Sequence, residues 1–192
     1  MRDLAILTFV TLDGVMQAPS MPEEDLSRGF DKGGWAAPYW EGVMEMVRKE
    51  AMASPYDMLF GRKTYDLFSA HWPDVEDNPV ATMMNSARKY VVTSDRSELT
   101  WSNSQTVSGD IAQEIKRLKS EDAPLLQVHG SWELIQFLLA RDLIDEFRIW
   151  AFPVVTGSGK RLFEHDSQLK VLSLVKSEAC ENGAVMNIYR RH

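Results

Sequence analysis

The fold reading turns on one stretch, Asp57-Met58-Leu59-Phe60-Gly61-Arg62-Lys63-Thr64-Tyr65. Met58 to Phe60 is a short apolar run behind the turn signal Ser54-Pro55, which is the pattern of a buried strand. Gly61 has no Cβ, so the chain can turn tightly there and come close to a ligand. Arg62, Lys63 and Thr64 follow, and Asp66-Leu67-Phe68 continues as the first turn of a helix. Strand, glycine, two cations, hydroxyl and helix start together aim unpaired amides and positive charge at one point, which suits an anion such as phosphate. The plainer reading is a strand–helix corner with solvated basic side chains. These residues alone do not separate the two.

Upstream, Leu4 to Val10 is a continuous apolar run suited to a strand buried on both faces, closed by the turn residues Asp13-Gly14. Val15 to Gly34 is polar and broken by prolines and glycines. A loop of that length inside a compact domain either serves a site or is disordered. Met16, Met21 and Phe30 give it apolar handles, as a lid would need. Trp35 to Ala53 is the strongest helical segment, with Pro38 early and Trp40, Val43, Met44, Val47 and Ala51 on one stripe. The stripe reads as core. Trp35 and Tyr39, beside the loop, are candidates for a pocket wall.

Downstream, Lys89 to Thr93 reads as a strand and Leu99 to Trp101 as a weak one, and Asp110 caps a helix with Ile111, Ile115 and Leu118 on one face. Leu125 to Val128 is a buried strand running into His129-Gly130-Ser131, with Ser131 placed to cap a helix from Trp132 to Ala140. This is a second anion-suited corner, and two in one chain suggest a nucleotide with phosphates at both. Ile144 to Ala151 alternates, and Pro153 leads to the glycine-rich Thr156-Gly157-Ser158-Gly159-Lys160. Val171 to Ser177 and Ala184 to Tyr189 flank the hairpin signal Asn182-Gly183. The expected fold is therefore one α/β domain over residues 1–192, its sheet mostly parallel with an antiparallel C-terminal hairpin.

Composition narrows the function. The chain has 192 residues, 44% of them hydrophobic, and a formal charge of −7. That balance argues against nucleic acid or an anionic membrane as partner, so a phosphate-bearing ligand needs a local cluster such as Arg62-Lys63. Cys180 is the single cysteine, which excludes an intrachain disulfide and fits a reducing compartment. The first apolar run is too short to span a bilayer and lacks a signal-peptide pattern, so the expected location is cytoplasmic. His71, His129, His165 and His192 show no metal-ligand spacing, and no metal is expected. No nucleophile elbow, Walker loop or full Rossmann fingerprint is present. With so few acid–base candidates, hydride transfer by a cofactor becomes attractive, because the protein then mainly binds and orients.

These pieces, in this order, resemble the dihydrofolate reductase-like fold, a three-layer α/β/α architecture. They are most similar to the C-terminal reductase domain of the bifunctional riboflavin-pathway deaminase/reductase. The resemblance rests on Thr11-Leu12-Asp13-Gly14, Trp35, Gly61-Arg62-Lys63-Thr64-Tyr65, Thr93-Ser94-Asp95, Gly130-Ser131, Leu143-Ile144-Asp145-Glu146 and Pro153-Val154-Val155-Thr156-Gly157-Ser158-Gly159. It implies NADPH as cofactor. Gly61, Arg62, Lys63 and Thr64 would hold the 2′-phosphate and pyrophosphate side, Thr93 and Ser94 would flank the adenosine, and Gly130 and Ser131 would take the pyrophosphate. Asp13 would border the nicotinamide in a polar or proton-handling role. Trp35, Tyr39, Thr156 and Gly157 would line the substrate pocket, and relatives of this kind are often homodimers.

One departure matters. Dihydrofolate reductases carry an acid on the first helix that grips the pterin, and by the Trp35-x-x-Pro38 spacing that position falls on Trp40. Glu41 is one residue on, rotated by about 100°. Folate is therefore not the expected substrate. A phosphoribosylaminouracil is also weakly supported, since Lys160-Arg161, the remaining basic pair, reads first as solvated surface. The expected activity is NADPH-dependent reduction of a small heterocycle or carbonyl compound. The alternatives are a non-catalytic nucleotide sensor of the same fold and a plain folate reductase.

Overall fold

The apolar runs become strands because both of their faces are covered. The computed structural model describes residues 1–95, 97–164 and 170–192, so His165 lies outside the described residues. Its strands are β1 (Leu4–Thr11), β2 (Tyr56–Gly61), β3 (Lys89–Val92), β4 (Ser104–Val107), β5 (Leu125–His129), β6 (Glu146–Phe152), β7 (Leu172–Ala179) and β8 (Val185–Arg191). Its helices are α1 (Trp40–Ala51), α2 (Arg62–Ser69), α3 (Pro79–Ser86), α4 (Ile111–Ser120) and α5 (Trp132–Ala140). The strands form one sheet in the order β4-β3-β2-β5-β1-β6-β8-β7. β1 to β6 are mutually parallel, whereas β8 runs antiparallel to both β6 and β7.

Alternate residues of each strand feed two cores, which makes three layers. Leu7, Met58, Phe60, Trp150 and Phe152 pack with α1, Tyr65 of α2 and Met84 of α3. Leu4, Ile6, Leu59, Val128 and Phe147 pack with Ile115 and Leu118 of α4 and Leu134, Ile135 and Leu138 of α5. The polar side of β6 is not a solvent face. Glu146 is buried and accepts from Arg148 Nε at 2.5 Å and Arg190 Nε at 2.9 Å.

Three local expectations are corrected. The helix anticipated from Trp35 begins at Trp40, after a 3₁₀ turn over Ala37–Tyr39, because Pro38 suits that tighter turn. Leu99–Trp101 is not a strand. Trp101 is buried there as an anchor, its N–H bonded to Tyr65 Oη at 2.9 Å and its indole to Asn85 Oδ1 at 2.7 Å, and pairing resumes at β4. Asn182-Gly183 sits within a wider loop closed by Cys180 N donating to Ala184 O at 2.7 Å. Asn182 Nδ2 instead ties that hairpin to Tyr39 O at 2.9 Å.

The strand starts are fastened by a buried ion network. The Arg2 guanidinium pairs with Asp57, reaches Glu121 at 3.2 Å and donates from Nε to Leu118 O at 2.8 Å. Removing one member of such a network strands the other charge in the interior. Asp57→Ala is accordingly expected to lower unfolding free energy by about 3 kcal/mol, read as a shifted urea midpoint with unchanged slope.

Candidate functional site

The site follows from strand order. After β1 the chain builds outward through β2, β3 and β4, returns to insert β5 between β2 and β1, and then adds β6 on the other side of β1. A crevice opens where the direction of winding reverses, beyond the carboxyl ends of the strands. β2 and β5 are neighbours there, so the helices that follow them, α2 and α5, begin side by side.

The contact joining them is specific. Gly130 and Ser131 both take left-handed backbone, with φ of 59° and 62°. The Ser131 hydroxyl is thereby turned away from its own helix and accepts from Gly61 N at 3.0 Å. The expected cap of α5 by Ser131 is thus corrected: neither α2 nor α5 has a side-chain cap. Their first-turn amides are left for water or a ligand. Gly61 itself has ordinary extended backbone, φ −77°, so the freedom of glycine is not used there. Gly130 sits against Thr64, whose Cγ2 would lie 3.8 Å from an added Cβ. Of the residues anticipated around phosphate, Gly61, Lys63, Thr64 and Ser131 line one cavity of about 160 Å³.

Arg62 leaves that cavity. It bonds Asp66 at 2.8 Å and reaches Asp95 at 3.4 Å and Ser97 O at 3.4 Å. Val92 is the registered partner of Gly61, so Thr93 and Ser94 continue the crevice on the same side as Arg62. Thr93 Oγ1 accepts from Asp95 N at 3.0 Å, which shapes the turn that Arg62 meets. Arg62 and Lys63, adjacent in sequence, therefore turn to different partners, Arg62 to Asp66 and Asp95 and Lys63 to Asp25 at the cavity.

Three cavity residues were hidden in the sequence. Lys160, expected on the solvated surface, is buried, and its Nζ lies 2.8 Å from Asp25 and 5.2 Å from the centre of the Trp132 ring. Lys63 Nζ reaches the same Asp25 at 2.9 Å. Burial by itself would raise the Asp25 carboxyl, but bonds from Lys160, Ser27 and Lys63 outweigh it and hold the group well below the usual carboxylate range. Gly159 is the one legible signal for this arrangement. Its φ is 121°, and an added Cβ would stand 2.7 Å from Val15 and 2.9 Å from Phe30, so only glycine lets the Lys160 loop pass beneath the loop after β1. Nothing in the sequence marks Asp25 or Trp132.

The loop anticipated as a lid, Val15–Gly34, is attached at both ends. Met16, Gln17, Ala18 and Phe30 are buried. Gln17 Nε2 donates to Asp25 O at 3.0 Å and Ser27 O at 2.9 Å, and Gln17 Oε1 accepts from Lys160 N at 2.9 Å.

Asp13, Thr156 and Gly157 do meet, but on each other rather than on the cavity. The Asp13 carboxylate accepts from Thr11 Oγ1 at 2.6 Å, Thr156 N at 3.2 Å and Gly157 N at 2.8 Å, with Arg161 at 3.4 Å. Burial opposes ionisation here, yet these donors prevail and lower its pKa to about 2. Asp13 is an anion at neutral pH with no proton to give, and the geometry makes it a clamp between the ends of β1 and β6. Trp35 and Tyr39 are likewise set back. Both lie edge-on to Phe152 in an aromatic cluster with Phe9, Trp40 and Trp150. Trp35 touches the cavity indirectly, donating from Nε1 to Gln17 O at 2.8 Å. Trp40 is half-buried against Phe9 and Phe152, and Glu41 is exposed. Among the described residues no group of His, Cys, Asp and Glu could hold a metal. No helix of the described residues is long and apolar enough to cross a membrane.

The RibD C-terminal domain matches residues 3–186. The chain belongs to this family. It is 29% identical over 136 residues to the uncharacterized protein YyaP of Bacillus subtilis (strain 168), covering 69% of this chain and 72% of that one. Its fold is shared with the crystal structure of a Shewanella sp. PV-4 protein provisionally named for riboflavin biosynthesis, with a TM-score of 0.67, 21% identity and coverage of 100% of this chain and 99% of that one. The dihydrofolate reductase-like, riboflavin-reductase-type fold expected from the motifs is therefore the fold of the chain.

Two outcomes test this geometry. Ser131→Ala leaves the Gly61 amide without its acceptor and is expected to cost about 1–2 kcal/mol in urea denaturation. His129 is fully buried, stacked on Tyr56, and its pKa falls from 6.5 to about 4 through burial and the nearby Arg148 charge. The unfolded chain takes that proton near its ordinary value and the native chain only near 4, so stability is lost as pH falls through this interval. His129→Gln is expected to flatten the decline by up to about 3 kcal/mol in melts at stepped pH.

Proposed function

We propose that this RibD C-terminal domain protein is an NADPH-dependent reductase acting on a polar unsaturated carbon, C=N or C=O, of a small flat heterocycle or related compound. One observation carries the reading. Two uncapped helix starts lie side by side in the switch-point crevice, joined by Gly61 N and Ser131 Oγ, with Lys63 and Lys160 facing the same cavity. Free amides and paired ammonium groups are what a pyrophosphate requires.

The residues present fit that group. Gly61, Lys63, Thr64, Gly130 and Ser131 would hold the pyrophosphate, and Arg62 with Thr93 and Ser94 would take the adenosine and its 2′-phosphate. When bound, the cofactor supplies the hydride. The chain's own residues bind, orient and exclude water. Asp13, by clamping Thr156 and Gly157, fixes the floor on which a substrate would rest, and Trp35 fixes Gln17 at the cavity wall. The same reading places the protein in the cytoplasm as a homodimer, with a small-molecule substrate and neither nucleic acid nor membrane as partner. Replacement of the helix acid by Trp40 directs the choice away from folate and toward less basic heterocycles.

Fluorescence titration tests this directly. NADPH is expected to bind about tenfold or more tightly than NADH, and Arg62→Met to bring the two within a few-fold by removing a charge-assisted contact to the 2′-phosphate. Absence of binding, or a preference for NADH, would overturn the assignment. Cofactor oxidation across pteridines, pyrimidines and quinones then distinguishes an enzyme from a binding protein.

A further inference from the structure

We propose that Asp25 is a built-in competitor for phosphate. In this view the loop Val15–Gly34 closes the cleft by placing its own carboxylate between Lys63 and Lys160, and a phosphate-bearing ligand opens the cleft by exchanging with it. The inference rests on the nucleotide reading above and concerns the regulation of that same site.

Geometry comes first. One Asp25 oxygen lies 2.9 Å from Lys63 and the other 2.8 Å from Lys160. The two lysines come from unrelated places, the first turn of α2 and the loop after β6, and Asp25 is the shared anion of both. Its carboxylate also accepts from Ser27 N at 3.1 Å. In this closed arrangement the cavity is only about 160 Å³, with Met16, Gln17, Ala18, Glu24 and Asp25 among its lining. That is below the roughly 300–1,000 Å³ of ordinary small-molecule pockets.

The charges point the same way. Closed, the cavity sets Glu24, Asp25 and Glu133 against Lys63 and Lys160. Withdrawing the loop removes Glu24 and Asp25, and leaves two ammonium groups against Glu133 beside the free amides of α2 and α5. A pyrophosphate offers more charge and more acceptors than the carboxylate it replaces.

The loop is also constructed to lift as a piece. Ala18 and Phe30 are buried anchors, whereas most of the residues between them are exposed. Glu24 accepts from Ser20 N at 2.8 Å and Met21 N at 3.3 Å, which holds the segment together internally. Besides the two lysine contacts, the contacts to release are the bonds from Gln17 to Asp25 O and Ser27 O, the half-exposed ion pair of Arg28 with Glu164 at 3.5 Å, the stacking of Arg28 on Trp132 and the bond from Lys32 to Thr156 O. A segment with so few apolar contacts belongs to the low-cost end of local opening.

The experiment is calorimetric titration of inorganic pyrophosphate and of NADPH into the wild-type protein, Asp25→Asn, Asp25→Ala and Lys160→Met. Trypsin cleavage after Arg28 is followed in parallel, and melting temperatures confirm that each variant is folded. Both Asp25 variants are expected to bind pyrophosphate about tenfold more tightly, since removing a paired charge frees both lysines. Lys160→Met is expected to bind it more weakly. Trypsin is expected to cut faster in the Asp25 variants alone, and in the wild type once pyrophosphate is added. Unchanged or weakened binding in both Asp25 variants, with binding lost in Lys160→Met, would overturn the competitor role while leaving the nucleotide site standing. Failure of every protein to bind either ligand would overturn the nucleotide reading and this proposal with it.

Discussion

Ser131 forms the bond on which the site depends, and it does so by abandoning its ordinary task. A serine at a helix start normally satisfies an amide of its own first turn. Here two successive left-handed residues turn the hydroxyl across to Gly61, at the start of a different helix. The chain accepts a strained non-glycine conformation at Ser131, of order 1 kcal/mol, and obtains two helix ends locked side by side with unsatisfied donors. That strain is carried at the crevice beyond the strand ends, where the bond to Gly61 holds it in place.

The insertion of β5 between β1 and β2 makes that bond possible. Had the strands been laid down in chain order, α5 would begin beside β4, far from α2. Inserting β5 also explains the polar character of one core. Gln127 and His129 point toward α1 from the middle of the sheet, and Gln127 is satisfied by Ala51 O at 2.6 Å. Their burial is tolerable only because each finds a partner within reach. Glu146 with Arg148 and Arg190 continues the same polar seam across β6 and β8.

Electrostatics divides the molecule into a fastened end and a yielding end. At the strand starts, Arg2 is buried among Asp57, Glu121 and backbone carbonyls, and nothing there can move cheaply. At the strand ends, the ion pairs of Lys63 and Lys160 are made with a loop carboxylate, beside amides that have no side-chain cap. Contacts of equal length differ in consequence because one set is enclosed by core and the other roofs a cavity.

Most of the fold was legible in the residues alone. The apolar runs at Leu4, Met58, Lys89 and Leu125 define parallel strands, Asp110 caps its helix as anticipated, accepting from Gln113 N at 3.1 Å, and the C-terminal pair is antiparallel. Local chemistry decides such features within a few residues, so the sequence carries them. It also showed both corners suited to an anion, because a strand, a glycine or hydroxyl and a helix start are contiguous in the chain. Only the tertiary structure decided that the corners touch, that Ser131 serves Gly61, that Lys160 is buried and that Asp25 stands between two lysines. Each of those facts joins residues from about 40 to 135 positions apart, and their contact depends on which strands lie side by side, a choice that no local pattern records.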